Sequence, residues 1–583
     1  MARQVLRRQA QLLLVVLTLG GALAFGAQVA MWPNHPLADM THVTKWVTNI
    51  RAGGQEIAYA GTYPDTYMIY PPGMTYAYRL ASWLHDNVAP FRGVGDGDWL
   101  RICIKLVSLI GHGALALALF AGTALAGGFW RGWLGMSLYA WSPGALFDAA
   151  YWGQGDTLNV ALLMLAIVAL FALPGWWPLR RNGRWRVWQQ VGAIFGGAAA
   201  GTCIAMGGLT KPQTWVFLPL LVWVVLRRSG PLGLGAAVAS GVATVTAIVQ
   251  PWVRTGRVDE MVSVFTNVTQ VMPSVSANGH NLWWLKLPGV ALSVFDTAPV
   301  GGFGEWVAPA LMSHATLGRI GFALLAVLPL LRLTGPLSFR LVMACSAYTS
   351  AAYFMTVTQV HENHMFALLP FLSAAAALDA WFVAPLLIAS TCVFFNMALH
   401  DFLIGDHLAA WLAQQSWIPW KEPIAIQTAN AQLNVAGFAL FTLLLLRRPP
   451  VSAQSPGLLR WRARLALVVG ALVAGGALVV ARVLATDPRR AQAAWEWLAE
   501  RALRAGPIEA HLGHTTAPSI LLERAALEFA NGLYLLAGVA VAVGSVAAIA
   551  AVWWLNCAWW AGRQMRRVRS AGASNVLANG AAV

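Results

Sequence analysis

The chain has 583 residues, of which 58% are hydrophobic and 11% charged, and it carries a net charge of +16. Soluble domains carry about 25% charged residues, so the composition excludes a soluble globular protein. The positive charge does not point to nucleic acid, because its arginines gather in short links between apolar runs: Arg3, Arg7 and Arg8; Arg180, Arg181, Arg184 and Arg186; Arg227 and Arg228; Arg447 and Arg448; Arg563, Arg566, Arg567 and Arg569. That is the positive-inside pattern of membrane topology.

Apolar runs of about 20 residues, long enough to cross a bilayer, recur along the chain. The N-terminal run mimics a signal peptide, but its length and the later topology favour a retained first span over about 10–31. With the N-terminus inside, a long outer loop follows over about 32–98. Spans two to seven are expected at about 100–127, 132–150, 157–178, 188–209, 213–226 and 231–251, followed by a second outer loop over about 252–308. Spans eight to twelve, at about 311–331, 338–357, 365–378, 380–398 and 430–446, complete a transmembrane domain of residues 1–448. Residues 449–464 read as a cytoplasmic linker. Residues 465–569 read as an appended two-span unit whose outer segment, 487–527, has helical charge patterning, and 570–583 as a disordered tail. The expected fold is an all-α polytopic membrane bundle of about 14 transmembrane helices (12–14), with two long extracytoplasmic loops carrying amphipathic helices. Cys103, Cys203, Cys345, Cys392 and Cys557 lie singly, with no metal spacing and no disulfide framework.

Four polar groupings fall on the outer face of this topology: "PLADMTHVTKWV" (36–47), "YWGQGD" (151–156), "TKPQ" (210–213) and "HENH" (361–364). Ionisable residues near membrane depth are costly and usually face a polar cavity, so four at one face point to one chamber. Each also has a plainer reading. Asp39 reads equally as a helix N-cap, "WGQGD" as a glycine turn with an Asp cap and a Trp anchor, Lys211 as a snorkelling side chain, and "HENH" as a polar helix start. "HENH" is not the zinc pattern "HExxH", and no metal is expected. In the first loop, "AYAGTYPDTYMIYPPGMTYAYRLASWLHD" (58–86) alternates aromatic and polar residues around Tyr70, which suits a sugar ring or an interfacial helix. The second loop carries "SANGHNLWWL" (276–285), with Asn278, His280, Asn281 and Trp283, and "NVT" at 267–269, a glycosylation sequon only in the endoplasmic reticulum.

An Asp shortly after the first span, "YPPG" later in that loop, "WGQGD", "KPQ", "NLWW" and "HE" after a later span together resemble the GT-C superfamily. These are integral-membrane glycosyltransferases that use polyprenyl-phosphate-linked sugars. The flavour is nearest to the dolichyl-phosphate-glucose glucosyltransferases and their bacterial mannosyltransferase-like relatives, and the resemblance covers about residues 10–446. It implies inverting transfer of a hexose from a polyprenyl-phosphate sugar to an acceptor hydroxyl at the outer membrane face. It casts Asp39 as general base and sets His361, Lys211 and His364 against the donor phosphate. Glu362, Gln154, Asp156, Gln213, Tyr70, His280, Asn281 and Trp283 would line the pocket. No metal and no cofactor beyond the lipid-linked donor are implied. The partners would be the bilayer, that donor, and a glycan, lipid or protein acceptor, with no nucleic acid. A bacterial inner (plasma) membrane is preferred to the endoplasmic reticulum. The rival readings are a multi-span secondary transporter and a polymerase or ligase of lipid-linked glycans.

Overall fold

The computed structural model describes residues 2–31, 37–61, 67–90, 94–173, 183–271, 273–297, 313–334, 337–415 and 422–446. The predicted linker, two-span unit and tail over 449–583 lie outside these residues. Among the described residues every regular element is a helix, and strand-like pairing is confined to isolated bridges. The chain divides into two compact units. Of the described residues, the first holds those within 1–412 and 430–445, and the second those within 413–429 together with residue 446.

Stretches long and apolar enough to cross a membrane are Gln4–Ala30, Asp96–Gly127, Val187–Thr210, Pro212–Thr255, His314–Arg332, Ala380–Ala398 and Pro423–Leu446. Asp156–Ala172 and Leu368–Leu378 are shorter apolar helices. Every segment expected to hold one of spans one to twelve carries a helix. In chain order the elements of the transmembrane region are α1 (Ala2–Ala30), α2 (Leu37–Gly53), α3 (Gly73–Asn87), α4 (Asp96–Gly127), α5 (Phe129–Ala140), α6 (Pro143–Leu146), α7 (Asp156–Ala172), α8 (Gly183–Thr210) and α9 (Leu218–Thr255). They continue with α10 (Val258–Val271), α11 (Leu282–Lys286), α12 (His314–Arg332), α13 (Phe339–Thr356), α14 (Leu368–Leu378), α15 (Val383–Ala398), α16 (Phe402–Gln414) and α17 (Pro423–Leu446). The two outer loops thus hold α2 and α3, and α10 and α11.

Burial follows a membrane's logic. Helix α14 is almost wholly apolar and is buried along almost its whole length, as a helix with no polar face must be, and α13, with its Ser and Thr residues, is buried nearly as completely. On α1, Leu12, Leu13, Val16 and Leu17 are exposed, as are Val238 and Val242 on α9 and Leu324 on α12. Such faces suit lipid, which is as apolar as leucine.

One expectation is revised and another refined. Span three, read as one run over 132–150, is broken. Helix α5 stops at Ala140, Ser142 is extended because Pro143 follows it, and the chain continues through α6 into a π-helical turn, Phe147–Trp152. Irregular backbone at such depth persists only when buried in protein, and Gly144–Trp152 are all buried. The Ser142 and Ser390 hydroxyls, 2.7 Å apart, pin the break to α15. Spans six and seven form α9 without an intervening loop: Gly230, at φ 68° and ψ −173°, joins two helical arms. Its conformation is one that glycine adopts without strain.

Candidate functional site

Asp39 lies in the first turn of α2, which begins at Leu37, so it is not the N-cap residue. Its side chain reaches across to the "WGQGD" turn. Trp152 Nε1 donates to Asp39 Oδ2 at 2.9 Å, and Gln154 Nε2 donates to the same oxygen at 3.1 Å. Two donors on one oxygen fix the carboxylate's orientation. Gln154 is itself oriented by Tyr70, whose hydroxyl donates to Gln154 Oε1 at 3.0 Å. Burial raises the Tyr70 phenol well above its ordinary pKa, and Tyr78, Asp39, Asp156 and Glu362 add to the shift. The phenol therefore stays protonated and remains a donor.

The turn owes its shape to Gly153, a left-handed residue at φ 70° that ends the π-helical segment. A Cβ there would lie 2.9 Å from Lys105 Cγ and 3.0 Å from Met40 Cε, so glycine also permits α4 and α2 to close on the turn. Lys105, a buried lysine on α4, sits 5.3 Å from the Tyr151 ring centroid, and Tyr151 donates to Asp401 Oδ1 at 3.1 Å. Asp148, at the start of the same turn, is fully buried, and neither carboxylate oxygen has a partner among the described residues.

The far end of the turn meets the other two motifs. Lys211 Nζ donates to Asp156 Oδ2 at 2.6 Å, with side-chain exposures of 2% and 6%, so each charge neutralises the other in a nearly dry setting. Asn363 Nδ2, from "HENH", donates to the same Asp156 oxygen at 2.9 Å. The Tyr70 ring centroid lies 5.7 Å from Lys211 Nζ. Gln213 contacts His364 Nε2 at 2.7 Å, and His364 Nδ1 accepts the His361 backbone N–H at 3.3 Å. Burial, aided by the charges of His361 and Lys211, lowers His364 well below the ordinary histidine pKa. His364 is therefore a neutral ring with its hydrogen on Nε2, and it offers a hydrogen bond rather than a charge. Turning the Gln213 amide by 180° sets Oε1, otherwise buried without a partner, against that hydrogen.

"HENH" is a turn and not a helix start, since α14 begins only at Leu368. Glu362 is buried, and Oε2 lies 3.9 Å from His361 Nδ1 and 4.0 Å from His400 Nε2. The second outer loop is clipped to this turn through bridges from Ala277 and Asn278 to His361.

Asp39, "WGQGD", "KPQ" and "HENH" are thus joined by one network of hydrogen bonds and ion pairs. The residues of "GHNLWW" (279–284) expected beside them have scaffold roles. Asn281 Oδ1 caps α11 by accepting from the N–H groups of Trp283 and Trp284, and its Nδ2 donates to Phe354 O at 2.9 Å. Trp283 Nε1 donates to Thr356 O at 2.7 Å. His280 is held by Asn396, Asn430 and Asn434, and burial lowers its pKa to about 3. Together these residues dock the second loop onto α13, α15 and α17.

Sequence reading did not single out Asn363 or His400, named Asn278 only as part of the second loop, and read Trp152 only as an anchor. The signal for His400 is its place in "NMALHDF", a polar pair at the outer end of the eleventh apolar run. Trp152 stacks on His400, with ring centroids 6.1 Å apart and an interplanar angle of 22°.

No family model and no curated protein matches the chain. Among solved structures it is similar to ArnT from Cupriavidus metallidurans bound to undecaprenyl phosphate, with a TM-score of 0.41 and 12% identity over 90% of this chain and 77% of that one. It is also similar to the archaeal oligosaccharyltransferase AglB from Archaeoglobus fulgidus in complex with an inhibitory peptide and a dolichol-phosphate, with a TM-score of 0.31 and 12% identity over 76% of this chain. The match spans 58% of the AglB chain.

Proposed function

We propose that the protein is an inverting glycosyltransferase of the GT-C type. It moves a hexose from a polyprenyl phosphate to an acceptor hydroxyl at the outer face of a bacterial plasma membrane. The observation that carries this reading is the oriented carboxylate of Asp39, held by Trp152 and Gln154 within one network with Lys211, Asn363 and the "HENH" turn. The motif resemblance in the sequence supports it independently.

In this reaction the acceptor oxygen attacks the anomeric carbon as Asp39 takes its proton. The bond from the anomeric carbon to the phosphate oxygen breaks, and its electron pair leaves on the lipid phosphate. Charge therefore grows on the phosphate in the transition state, where hydrogen-bond donors and cations lower the barrier. His361 is half-exposed toward this region and supplies such a group. Lys211 reaches the phosphate by exchanging Asp156 for it, and His364 contributes its one neutral N–H by exchanging Gln213 for it. Protein groups then meet the charge without a divalent metal.

The test is transfer of label from a polyprenyl-phosphate hexose in membranes. General-base catalysis contributes about 10²–10⁴-fold, so Asp39→Asn should lose at least about 100-fold while the protein stays folded. The wild-type rate should persist in excess chelator. Transfer by the Asn variant at the wild-type rate would remove Asp39 from the mechanism. ATP- or ion-driven uptake of a solute without transfer would replace the enzyme with a transporter.

A further inference from the structure

The site leaves a question about charge. A lipid phosphate needs donors, yet Lys211 is already bound to Asp156 and His364 is neutral. Two part-exposed imidazoles lie near the turns of the site: His361, at 34% side-chain exposure, and His400, at 35%, which stacks on Trp152. They come from separate parts of the chain, one from the "HENH" turn and the other from the end of α15, and they share one buried carboxylate, Glu362. We propose that His400 is a second donor-phosphate residue, paired with His361 across Glu362. This rests on the glycosyltransferase reading above.

Four observations converge on it. Glu362, 3% exposed, lies within 4.0 Å of both rings, so one buried carboxylate links the two imidazoles. Asn396, buried on α15, donates its side-chain Nδ2 to the Glu362 carbonyl, which fixes the backbone that carries the carboxylate. Asn278 Nδ2 lies 3.3 Å from His400 Nε2, so in the neutral ring Nε2 accepts and Nδ1 carries the hydrogen. His400 is thus a hydrogen-bond donor in either protonation state. Finally, the indole that donates to Asp39 is the same one that stacks on His400. The base and the imidazole are thus held by one rigid ring, which couples the position of one to that of the other.

Backbone strain marks the same place. Asn278 and Gln359 are the non-glycine residues with positive φ among the described residues, at 62° and 61°. Asn278 bridges to His361 through its backbone and meets His400 through its side chain, so one strained residue links both imidazoles. Gln359, two residues before His361, donates its N–H to Ser274 O and its amide to Asp296 Oδ2. Left-handed non-glycine residues persist where the surroundings over-determine them, and they cluster at functional sites.

The test uses the full-length protein in nanodiscs, with undecaprenyl phosphate and the uncharged undecaprenol as paired probes. Wild-type protein should bind the phosphate at least tenfold more tightly than the alcohol. A hydrogen bond to a charged group is worth about tenfold or more in affinity, so His400→Ala should lose about tenfold for the phosphate and nothing for the alcohol. His400→Gln keeps an N–H donor and should fall between the two, and it decides the matter if the alanine variant does not fold. A Gln or Ala variant with the wild-type preference for the phosphate overturns the role of His400 and leaves the glycosyltransferase reading standing. Equal binding of phosphate and alcohol by the wild type overturns that reading and this inference with it.

Discussion

His280 and His364 show how a buried imidazole makes a fold sensitive to acid. In an unfolded chain histidine titrates near 6.5. Burial lowers His280 to about 3 and lowers His364 in the same direction. A base with a depressed pKa binds fewer protons when folded than when unfolded. The stability is therefore complete above about pH 6.5 and is lost as pH falls toward about 3, at about 1.4 kcal/mol per pH unit for His280. The apparent unfolding temperature of the purified protein should drop between about pH 7 and pH 5, and His280→Gln should flatten that drop. A wild-type profile without slope in this range contradicts the assignment. At this scale the sequence was only partly legible. The residue types at Asp39, Lys211 and His361 stand out as ionisable groups in an apolar chain. Their pairings do not, because Asp156 finds Lys211 at a separation of 55 residues and Asn363 at 207.

Helix α8 shows what an element can demand of single residues. A Cβ at Gly197 would lie 2.0 Å from Gly233 O, and one at Gly201 would lie 2.0 Å from Ala237 O. Both obstacles are backbone, which cannot swing aside. Gly197 and Gly201 are four residues apart and form the small-xxx-small face that lets membrane helices approach closely. Ser240 donates to Ala198 O at 2.8 Å across the same seam. Gly201→Leu should drive the second arm of α9 away from α8 and destabilise the protein by about 1–3 kcal/mol or more, the range of overpacked cores. Loss of monodisperse protein on gel filtration would report it, and a variant as stable as wild type would show that the seam yields. The spacing of these glycines was present in "GGAAAG" (196–201, with Gly196 and Gly197 leading) and went unread, because apolar periodicity locates a helix but does not say which neighbour it touches. The break in span three was legible in "SPG" (142–144), and the run of apolar residues on either side concealed it.

For the whole molecule, hydrophobic runs made the helical elements of the transmembrane region easy to locate, since about 20 apolar residues have few other uses. The convergence of four polar turns followed from a topology that puts them on one face. Orientation is tested by cysteine labelling in intact cells with an impermeant maleimide. A cysteine at Trp83 should react from outside, and one at Thr334 only after permeabilisation; the reverse would invert the topology. The ion pair of Lys211 and Asp156 has a consequence for synthesis. A carboxylate left alone in a dry interior is costly, and removing one partner of such a pair costs about 3–5 kcal/mol. When α7 leaves the ribosome, Asp156 has no cation, because Lys211 is translated 55 residues later. Helix α7 therefore has reason to linger at the insertion machinery until α8 arrives, and the two should enter the lipid as a matched couple rather than one by one.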